Sequence, residues 1–398
     1  MQNKIKIIFH IDLNAFFATC ASIKEPFLKN KAFAIGRGSS FSKGIISTAS
    51  YEARKYGIRS GMSAAEALKL YPKLMIVPSD YNLYQKHSNI FFKVLKQYSN
   101  ILLKASIDEG FLDVTDKSKT IHPLKLAQEI QNKLLNEYQL PVSIGIGPTL
   151  FLAKMASDYK KPLGITIIRK KDVKDILYPL EINKMFGIGK KTYQKLNSIG
   201  IKTIKDFANQ ANQSTIIEAI GENQYYENIN RLNGNSNDIV DPYLYDVPKS
   251  ISNEITFNYA IDKLEVLTNE LKELSSVVHN RLENEEMVAK TVSIKLKYAD
   301  FTTITRSKTI ANYSDDLIDL YAIAEELLET NYSNKAVRLI GYGYSNLIYK
   351  KELKEDYDLF NYQELSKREQ LIYQTISSYN QKEGKQIIKK GIKKDITK

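Results

Sequence analysis

The sequence contains no tryptophan and a single cysteine, Cys20, among 398 residues. One cysteine cannot form an intramolecular disulfide or a cysteine-based zinc site, so both kinds of scaffold are excluded. No stretch approaches eighteen consecutive apolar residues, and the N-terminal segment lacks the uninterrupted apolar core of a signal peptide, so we expect neither a membrane span nor a secretory leader. These absences favour a protein of the reducing cytoplasm.

The sequence has fewer acidic than basic residues: 45 Asp and Glu compared with 57 Lys and Arg, which gives a formal net charge of +12. A protein with this excess commonly binds a polyanion such as nucleic acid. A general compositional bias toward Ile, Asn, Lys and Tyr would produce the same excess, so the charge alone leaves both explanations open. The length predicts several domains of roughly 100 to 150 residues each.

The first half of the chain has the pattern of an α/β sheet. An isoleucine-rich run over residues 4 to 11 ends at Asp12, which predicts a buried strand with a carboxylate at its tip. From residue 74 onward the pattern predicts a strand, a helix, two strands around Asp108 and Glu109, a helix and a strand. Joined to the first strand, this order resembles a split βαβ sheet, which would bring Asp12 beside Asp108.

The second half predicts short glycine-broken helices over residues 182 to 234, an irregular linker, and a further βαββαβ unit over residues 250 to 347 that repeats the first sheet. Within that unit the stretch Thr291–Tyr298 alternates, so that Lys295 and Lys297 should face away from the core. Lysines on an open sheet face suit a phosphate backbone, and a merely solvated face explains them equally well.

Adjacent acids in the segment SIDEGFLDV need a physical reason, because apolar neighbours raise the cost of each charge. Two bound Mg²⁺ ions would supply one, with Asp12, Asp108 and Glu109 as carboxylate ligands and the backbone carbonyl of Leu13 as a further oxygen. Such a site carries out phosphoryl transfer. Taken alone, an Asp-Glu pair is more often a turn or a surface pair.

Aromatic and cationic residues near these acids suit a nucleoside triphosphate. Phe17 could lie against the sugar and exclude a ribose 2′-hydroxyl, whereas Phe16 beside it is more easily explained as core. Three residues at a spacing of three carry a hydroxyl, a phenol and a guanidinium group, which would lie on one side of a helical turn and could bind phosphate. A lysine further along the chain could supply a second cation. These residues are Thr48, Tyr51, Arg54 and Lys161. A solvated helix face is the alternative.

The segment Gly187–Lys190 lies between two helical stretches and predicts a helix-hairpin-helix, whose backbone N–H groups would hold a DNA phosphate without reading bases. The short pattern GxGK has many chance matches. A second lysine and the later GIKTI segment strengthen the prediction.

Seven segments between about Lys4 and Leu347 resemble, in order, the sequence blocks of the Y-family (translesion) DNA polymerases of bacteria. They are FHIDLNAFFA, ISTASYEARKYGIRSGM, SIDEGFLDVT, GPTLFLAKMASDYKKPLG, FGIGKKTYQKLNSIGIKTI, KSISNEITF and VRLIGYGYSNL. The resemblance implies template-directed, low-fidelity addition of dNTPs to a primer 3′ end by a monomer. It also implies two Mg²⁺ ions per active site, for which Mn²⁺ could substitute.

The implied fold is an α+β right-hand polymerase. Its parts are a ferredoxin-like palm (residues 1–13 and 80–168), small fingers (14–79), a helical thumb with a helix-hairpin-helix (169–237), a linker (238–249), a βαββαβ little finger (250–348) and a flexible tail (349–398).

The resemblance also implies roles for single residues. The metal ligands would be Asp12, Leu13, Asp108 and Glu109; the steric gate Phe17; the dNTP contacts Phe16, Phe17, Thr48, Tyr51, Arg54 and Lys161; and the DNA contacts Gly187, Gly189, Lys190, Lys295, Lys297 and Arg306. Two positions depart from the family pattern. Asn14 stands where a second acid is usual, and we expect activity to survive; Gly110 replaces an alanine, which should loosen the hairpin.

The segment Asp356–Phe360 resembles the short peptide with which bacterial members bind a sliding clamp, although it lacks the usual leading glutamine. A groove on the clamp would capture Leu359 and Phe360. Two other classes of protein could use parts of the same pattern. A nucleotidyl cyclase would also place paired acids on such a sheet but needs no helix-hairpin-helix. A silent DNA-binding protein could lose the acids, and all three are present.

Overall fold

The computed structural model describes residues 5–36, 44–236, 239–244 and 247–353, which form two compact units, Met1–Asp246 and Val247–Lys398. The clamp-peptide residues Leu359 and Phe360, and most of the predicted tail, lie outside the described residues. Within the described part of the chain, no helix combines the length and the apolar composition needed to cross a membrane.

The first unit contains eight strands and eleven helices among its described residues. The strands are β1 (Ile8–Leu13), β2 (Phe33–Gly36), β3 (Ile46–Ala49), β4 (Met75–Pro78), β5 (Leu102–Lys104), β6 (Glu109–Asp113), β7 (Val142–Gly147) and β8 (Ile165–Ile167). The helices are α1 (Phe16–Lys24), α2 (Tyr51–Lys55), α3 (Ala64–Leu70), α4 (Tyr81–Lys96), α5 (Pro123–Tyr138), α6 (Leu150–Tyr159), α7 (Val173–Ile176), α8 (Lys190–Ser198), α9 (Ile204–Ala208), α10 (Gln213–Ile220) and α11 (Glu222–Leu232).

A five-stranded sheet with the order β5-β6-β1-β7-β8 forms the centre of this unit. The first strand lies in the middle and pairs antiparallel with both β6 and β7, and Ile8, Phe9 and Ile11 are fully buried. A strand covered on both sides has no polar face to alternate, which explains its near-continuous apolar run. The predicted buried strand ending at Asp12 is confirmed.

The strand predicted from residue 74 does form, but its assignment to the same sheet as β1 is wrong. It is β4, which pairs parallel with β2, Met75 opposite Phe33, in a separate three-stranded sheet of order β3-β2-β4. An apolar run predicts that a strand is buried but does not specify its partner. A capping box formed by Ser63 and Glu66 starts α3.

Helix α6 packs unusually close to the sheet, because two glycines of β7 face it. A Cβ atom on Gly145 would lie 2.0 Å from the Ala153 carbonyl oxygen and 2.2 Å from the Ser157 nitrogen. No side chain fits such a gap. The glycine therefore sets the depth at which α6 delivers its side chains toward β1.

The described part of the second unit has strands β9 (Ser250–Ile261), β10 (Met287–Tyr298), β11 (Thr303–Ser314) and β12 (Val337–Tyr349), with helices α12 (Leu264–Asn284) and α13 (Leu317–Asn331). The βαββαβ order and the alternation of β10 are confirmed. The sheet order is β11-β10-β12-β9. The expected repeat of the first sheet is wrong in its strand order. The first strand of the motif is central in the first unit, where it is β1, but lies at the sheet edge in the second unit, where it is β9. The opposite edge is formed by β5, the first strand of its hairpin, in the first unit and by β11, the second strand of its hairpin, in the second unit.

Candidate active site

Two of the three predicted carboxylates meet across paired strands. Asp12 at the end of β1 stands directly opposite Glu109 at the start of β6. Directly opposed residues of an antiparallel pair project to the same face, with Cβ atoms roughly 5 Å apart. The next residue continues the pairing, since the Leu13 N–H donates to the Asp108 carbonyl oxygen at 2.9 Å. The two acidic segments are therefore joined by backbone hydrogen bonds.

Two lysines hold these carboxylates. Lys154 Nζ lies 2.6 Å from Glu109 Oε2 and 3.5 Å from Asp12 Oδ2, and Lys161 Nζ lies 2.7 Å from Asp12 Oδ1. Both ammonium groups also contact Asp158, at 3.6 Å and 2.8 Å. The sequence reasoning found Lys161 but missed Lys154. The available signal was a lysine four residues before an acid, inside an otherwise apolar helix.

Burial and ion pairing compete at this cluster. Burial raises the pKa of Asp12 to about 6, although Lys161 and Lys154 act to lower it. Burial also acts to raise the pKa of Glu109, but the neighbouring His10 and Lys154 outweigh it and hold the pKa below its ordinary value. Burial would lower the pKa of Lys154 and Lys161, and the surrounding acids raise both instead. The cluster is thus an acidic site whose charge depends on nearby cations.

His10 is a second residue that the sequence reasoning missed. Its side chain is fully buried beneath the acids, with Nδ1 2.7 Å from Ser157 Oγ and Nε2 3.5 Å from Glu109 Oε2. Burial lowers the pKa of the imidazole despite the adjacent Glu109. The Glu109 carboxylate is therefore contacted by His10 from β1 and by Lys154 from α6.

Asp108 is half-buried, as Asp12 and Glu109 are. Its Oδ1 accepts a hydrogen bond from Ser106 Oγ at 2.6 Å. Among the residues that the structure describes, no three His, Cys, Asp or Glu side chains already converge as a metal-binding group. Asp12 and Glu109 share Lys154, and Asp108 would have to turn toward them to complete an oxygen cluster.

The two phenylalanines of α1 have different surroundings. Phe16 is buried in the core, which agrees with its interpretation as a packing residue and leaves its side chain no route to a nucleotide. Phe17 is only partly buried, and its ring stacks on Tyr84 at 4.0 Å between centroids with planes 9° apart. The stack fixes the orientation of the Phe17 ring shortly after β1, the strand that carries Asp12.

The predicted triphosphate residues come together, although not on one helix. Thr48 lies on β3, so its placement on a helical turn is wrong, while Tyr51 and Arg54 lie on α2. Arg54 Nη2 is 3.5 Å from Thr48 Oγ1, and its guanidinium lies 4.8 Å from the Tyr51 ring centroid. The Tyr51 hydroxyl is buried and, among the described residues, has no hydrogen-bond partner. An unpaired buried phenol is costly and suits an incoming acceptor.

The two departures from the family pattern have structural roles. The Asn14 amide donates to Ser143 Oγ at 2.9 Å and its Oδ1 accepts from the Leu163 N–H at 2.8 Å. A carboxylate could only accept, so asparagine suits this buried position between β1 and the loop that carries Lys161. A Cβ on Gly110 would lie 3.0 Å from both Phe92 Cε1 and the Leu103 oxygen, so glycine leaves no gap in the hairpin.

The predicted DNA contacts lie in two regions. Gly187 adopts a φ of 94°, a conformation that favours glycine. Gly189 is the N-cap of α8, directly before Lys190, and no atom lies within 4 Å of the position its Cβ would take. On the second unit, Lys295 Nζ pairs with Glu254 Oε2 at 2.7 Å, across Gly341 of the intervening strand.

Arg306 does not share a face with these lysines. It stands opposite Ile294, a core residue on the helix side of the sheet, and its Nε donates to Asn331 of α13 at 2.9 Å. Lys297 instead lies 5.0 Å from the Phe301 ring centroid. The sequence grouped all three cations because it shows charge but not the sheet face to which a hairpin partner points.

Comparisons with known proteins identify the family. The impB/mucB/samB family matches residues 11–158, its C-terminal domain residues 248–357, and the IMS family HHH motif residues 170–201. DNA polymerase IV of Oceanobacillus iheyensis is 40% identical over 97% of this chain and 91% of its own length. DNA polymerase IV 1 of Bacillus subtilis is 38% identical over 100% of this chain and 96% of its own length. The chain belongs to the Y family of DNA polymerases.

Solved structures agree with this family. A Y-family polymerase chimera of Dbh and Dpo4 is 26% identical, covers 86% of this chain and 99% of its own, and superposes with a TM-score of 0.78. DinB from Sulfolobus solfataricus is 26% identical, covers 86% of this chain and 99% of its own, and superposes with a TM-score of 0.59. The polymerase is thus a DNA-directed, low-fidelity enzyme of the translesion type. These matches do not support the cyclase or the silent DNA-binding protein.

Proposed function

We propose that Asp12, Asp108 and Glu109 form the metal-binding catalytic centre of this polymerase, with the backbone carbonyl of Leu13 as an additional ligand. The strand register carries the proposal, because it sets Asp12 directly opposite Glu109 and bonds the neighbouring Leu13 to Asp108. Carboxylates that are this close and partly buried repel one another unless cations neutralise them. The two lysine ion pairs already reflect that requirement.

The donor set suits a hard divalent cation. All of the proposed ligands are oxygens, which Mg²⁺ prefers, and Mn²⁺ accepts the same ligands. Bound divalent ions would lower the pKa of the primer 3′-hydroxyl and neutralise charge on the triphosphate. His10 and Lys154 hold the Glu109 carboxylate in position, and Asp158 positions the Lys161 ammonium beside Asp12.

The dNTP triphosphate would be held by Thr48, Tyr51, Arg54 and Lys161. Arg54 presents a planar fork of donors suited to phosphate oxygens, with the Thr48 hydroxyl beside it. The buried Tyr51 hydroxyl would gain the acceptor that it lacks among the described residues. Phe17 would lie against the deoxyribose as the steric gate, with its ring orientation fixed by stacking on Tyr84.

Primer-template DNA would be held by phosphate contacts that carry no sequence information. The backbone of Gly187 and Gly189, at the start of α8, could donate N–H groups to one phosphate, with Lys190 beside it. Lys295 and Lys297 lie on the open face of the second sheet, opposite α12 and α13, and suit a second phosphate contact. Arg306 is left out of this group because it faces α13.

We also propose the sliding clamp as a partner, on the sequence of Asp356–Phe360 alone, because this segment lies outside the described residues. Deleting residues 356–360 should abolish capture of the chain by an immobilised clamp, since Leu359 and Phe360 supply the apolar anchors of the peptide. A pull-down measures this directly. Unchanged capture would show that the segment is not the clamp-binding peptide.

A divalent-ion titration of primer extension tests the proposed centre. Chelation should stop dNTP addition to an annealed primer, and added Mg²⁺ or Mn²⁺ should restore it, because the carboxylates need cations. DNA affinity measured in parallel should persist without the divalent ion and fall steeply with rising salt, since lysines contact the phosphates. Extension that survives complete chelation would contradict the metal site, and salt-independent binding would contradict the phosphate contacts.

A further inference from the structure

A cavity with a volume of about 460 Å³ lies on the first unit, lined by none of the residues of the acid cluster. It lies where the C-terminal ends of α2 and α3 meet the starts of β2 and β4. This volume falls in the range typical of sites for small organic ligands, roughly 300 to 1,000 Å³. The chemistry of its walls comes from Lys31, Glu52, Lys55, Tyr56, Tyr71 and Lys73.

One wall is a stacked tyrosine pair. The rings of Tyr56 and Tyr71 lie 4.2 Å apart between centroids with planes 17° apart. Each tyrosine follows the last residue of its helix, α2 or α3, so the pair is fixed by two helix ends. Tyr56 is 49% exposed. An exposed aromatic face that is already held by a partner is a ready platform for another flat ring.

The cavity is also cationic. Three exposed lysines, Lys31, Lys55 and Lys73, surround it, and Glu52 is the only acid among its lining residues. Among the ion pairs of the described residues, none joins Glu52 to these lysines. Proteins bind unpaired nucleotides by combining cations, which contact the phosphate backbone, with aromatic side chains, on which the bases stack. The lysines and the tyrosine pair of this cavity provide both.

We propose that this cavity binds an unpaired nucleotide of the single-stranded template. A duplex hides the faces of its bases, whereas the part of the template not yet copied exposes them. Lys55 follows Arg54 on α2, so the same helix carries one residue of the cavity and one of the residues assigned to the triphosphate. The proposal depends on the polymerase activity of the chain and not on the roles given to Asp12, Asp108 and Glu109.

A free nucleotide has the same base and phosphate chemistry, so the experiment must separate the two sources. The sequence has no tryptophan, and Tyr56→Trp therefore gives a single emission signal at the platform. Primer-template with roughly ten unpaired template nucleotides should quench it, and a blunt duplex of the same length should not. Quenching by free dNTP and not by the extended template would overturn the proposal, as would equal quenching by both duplexes.

Charge reversal provides a second measurement in case the tryptophan variant folds poorly. Lys55→Glu with Lys73→Glu should weaken binding of the extended template about tenfold while binding of the blunt duplex stays the same. The matched control reverses two exposed lysines elsewhere in the unit, Lys86 on α4 and Lys125 on α5, and should leave the preference for extended template intact. An equal loss on both DNAs, or the same loss in the control, would overturn the proposal.

Discussion

Asp108→Ala should reduce primer extension at least about 10³-fold, or roughly 4 kcal/mol of transition-state stabilisation, because it removes one metal-binding carboxylate. The free energy of unfolding should change little, since the contact of the Asp108 carboxylate is a hydrogen bond from nearby Ser106. Single-turnover extension with Mg²⁺, together with urea unfolding and DNA affinity, measures all three quantities.

Asp108 is a more specific site for this substitution than the neighbouring Glu109. Glu109→Ala should abolish extension too, but it also breaks the ion pair with Lys154 and changes the protein's stability. Asp175→Ala, at an exposed position in the first turn of α7, is the matched control and should extend primers normally. Normal extension by Asp108→Ala would refute the assignment of the catalytic centre.

Phe17→Ala should lower discrimination against ribonucleotides by about a hundredfold, because the ring that would meet a 2′-hydroxyl is removed. The structure gives the gate a mechanical reason: stacking on Tyr84 prevents the Phe17 ring from turning aside. The ratio of kcat/KM for dNTP and rNTP on the same primer-template is the measurement.

Phe16→Ala is the informative control for the gate. Its ring is buried in the core, so truncation should cost roughly 3 to 5 kcal/mol of stability while the discrimination ratio of the folded fraction stays unchanged. If Phe16→Ala and Phe17→Ala changed discrimination equally, loss of packing rather than loss of a gate would explain both. An unchanged ratio in Phe17→Ala would remove the gate altogether.

Local pattern predicted much of the second unit. The buried stripe of α12 and the alternation of β10 follow from helical and strand periodicity, which act over a few residues and are visible in the sequence. Partnership between strands is different. The sequence placed residues 74 to 78 in the wrong sheet, because β4 pairs with β2, a strand much earlier in the chain, and no local pattern specifies that partner.

By itself, the sequence determined the acidic residues, the aromatic pair after Asp12 and the family to which their order belongs. Only the tertiary structure decided that Lys154 and His10 reach Glu109, that Thr48 meets Arg54 from a strand, and that Arg306 faces a helix. Periodicity fixes which side of its own element a residue occupies. What lies on that side depends on segments far along the chain, and here on how closely Gly145 lets α6 approach β7.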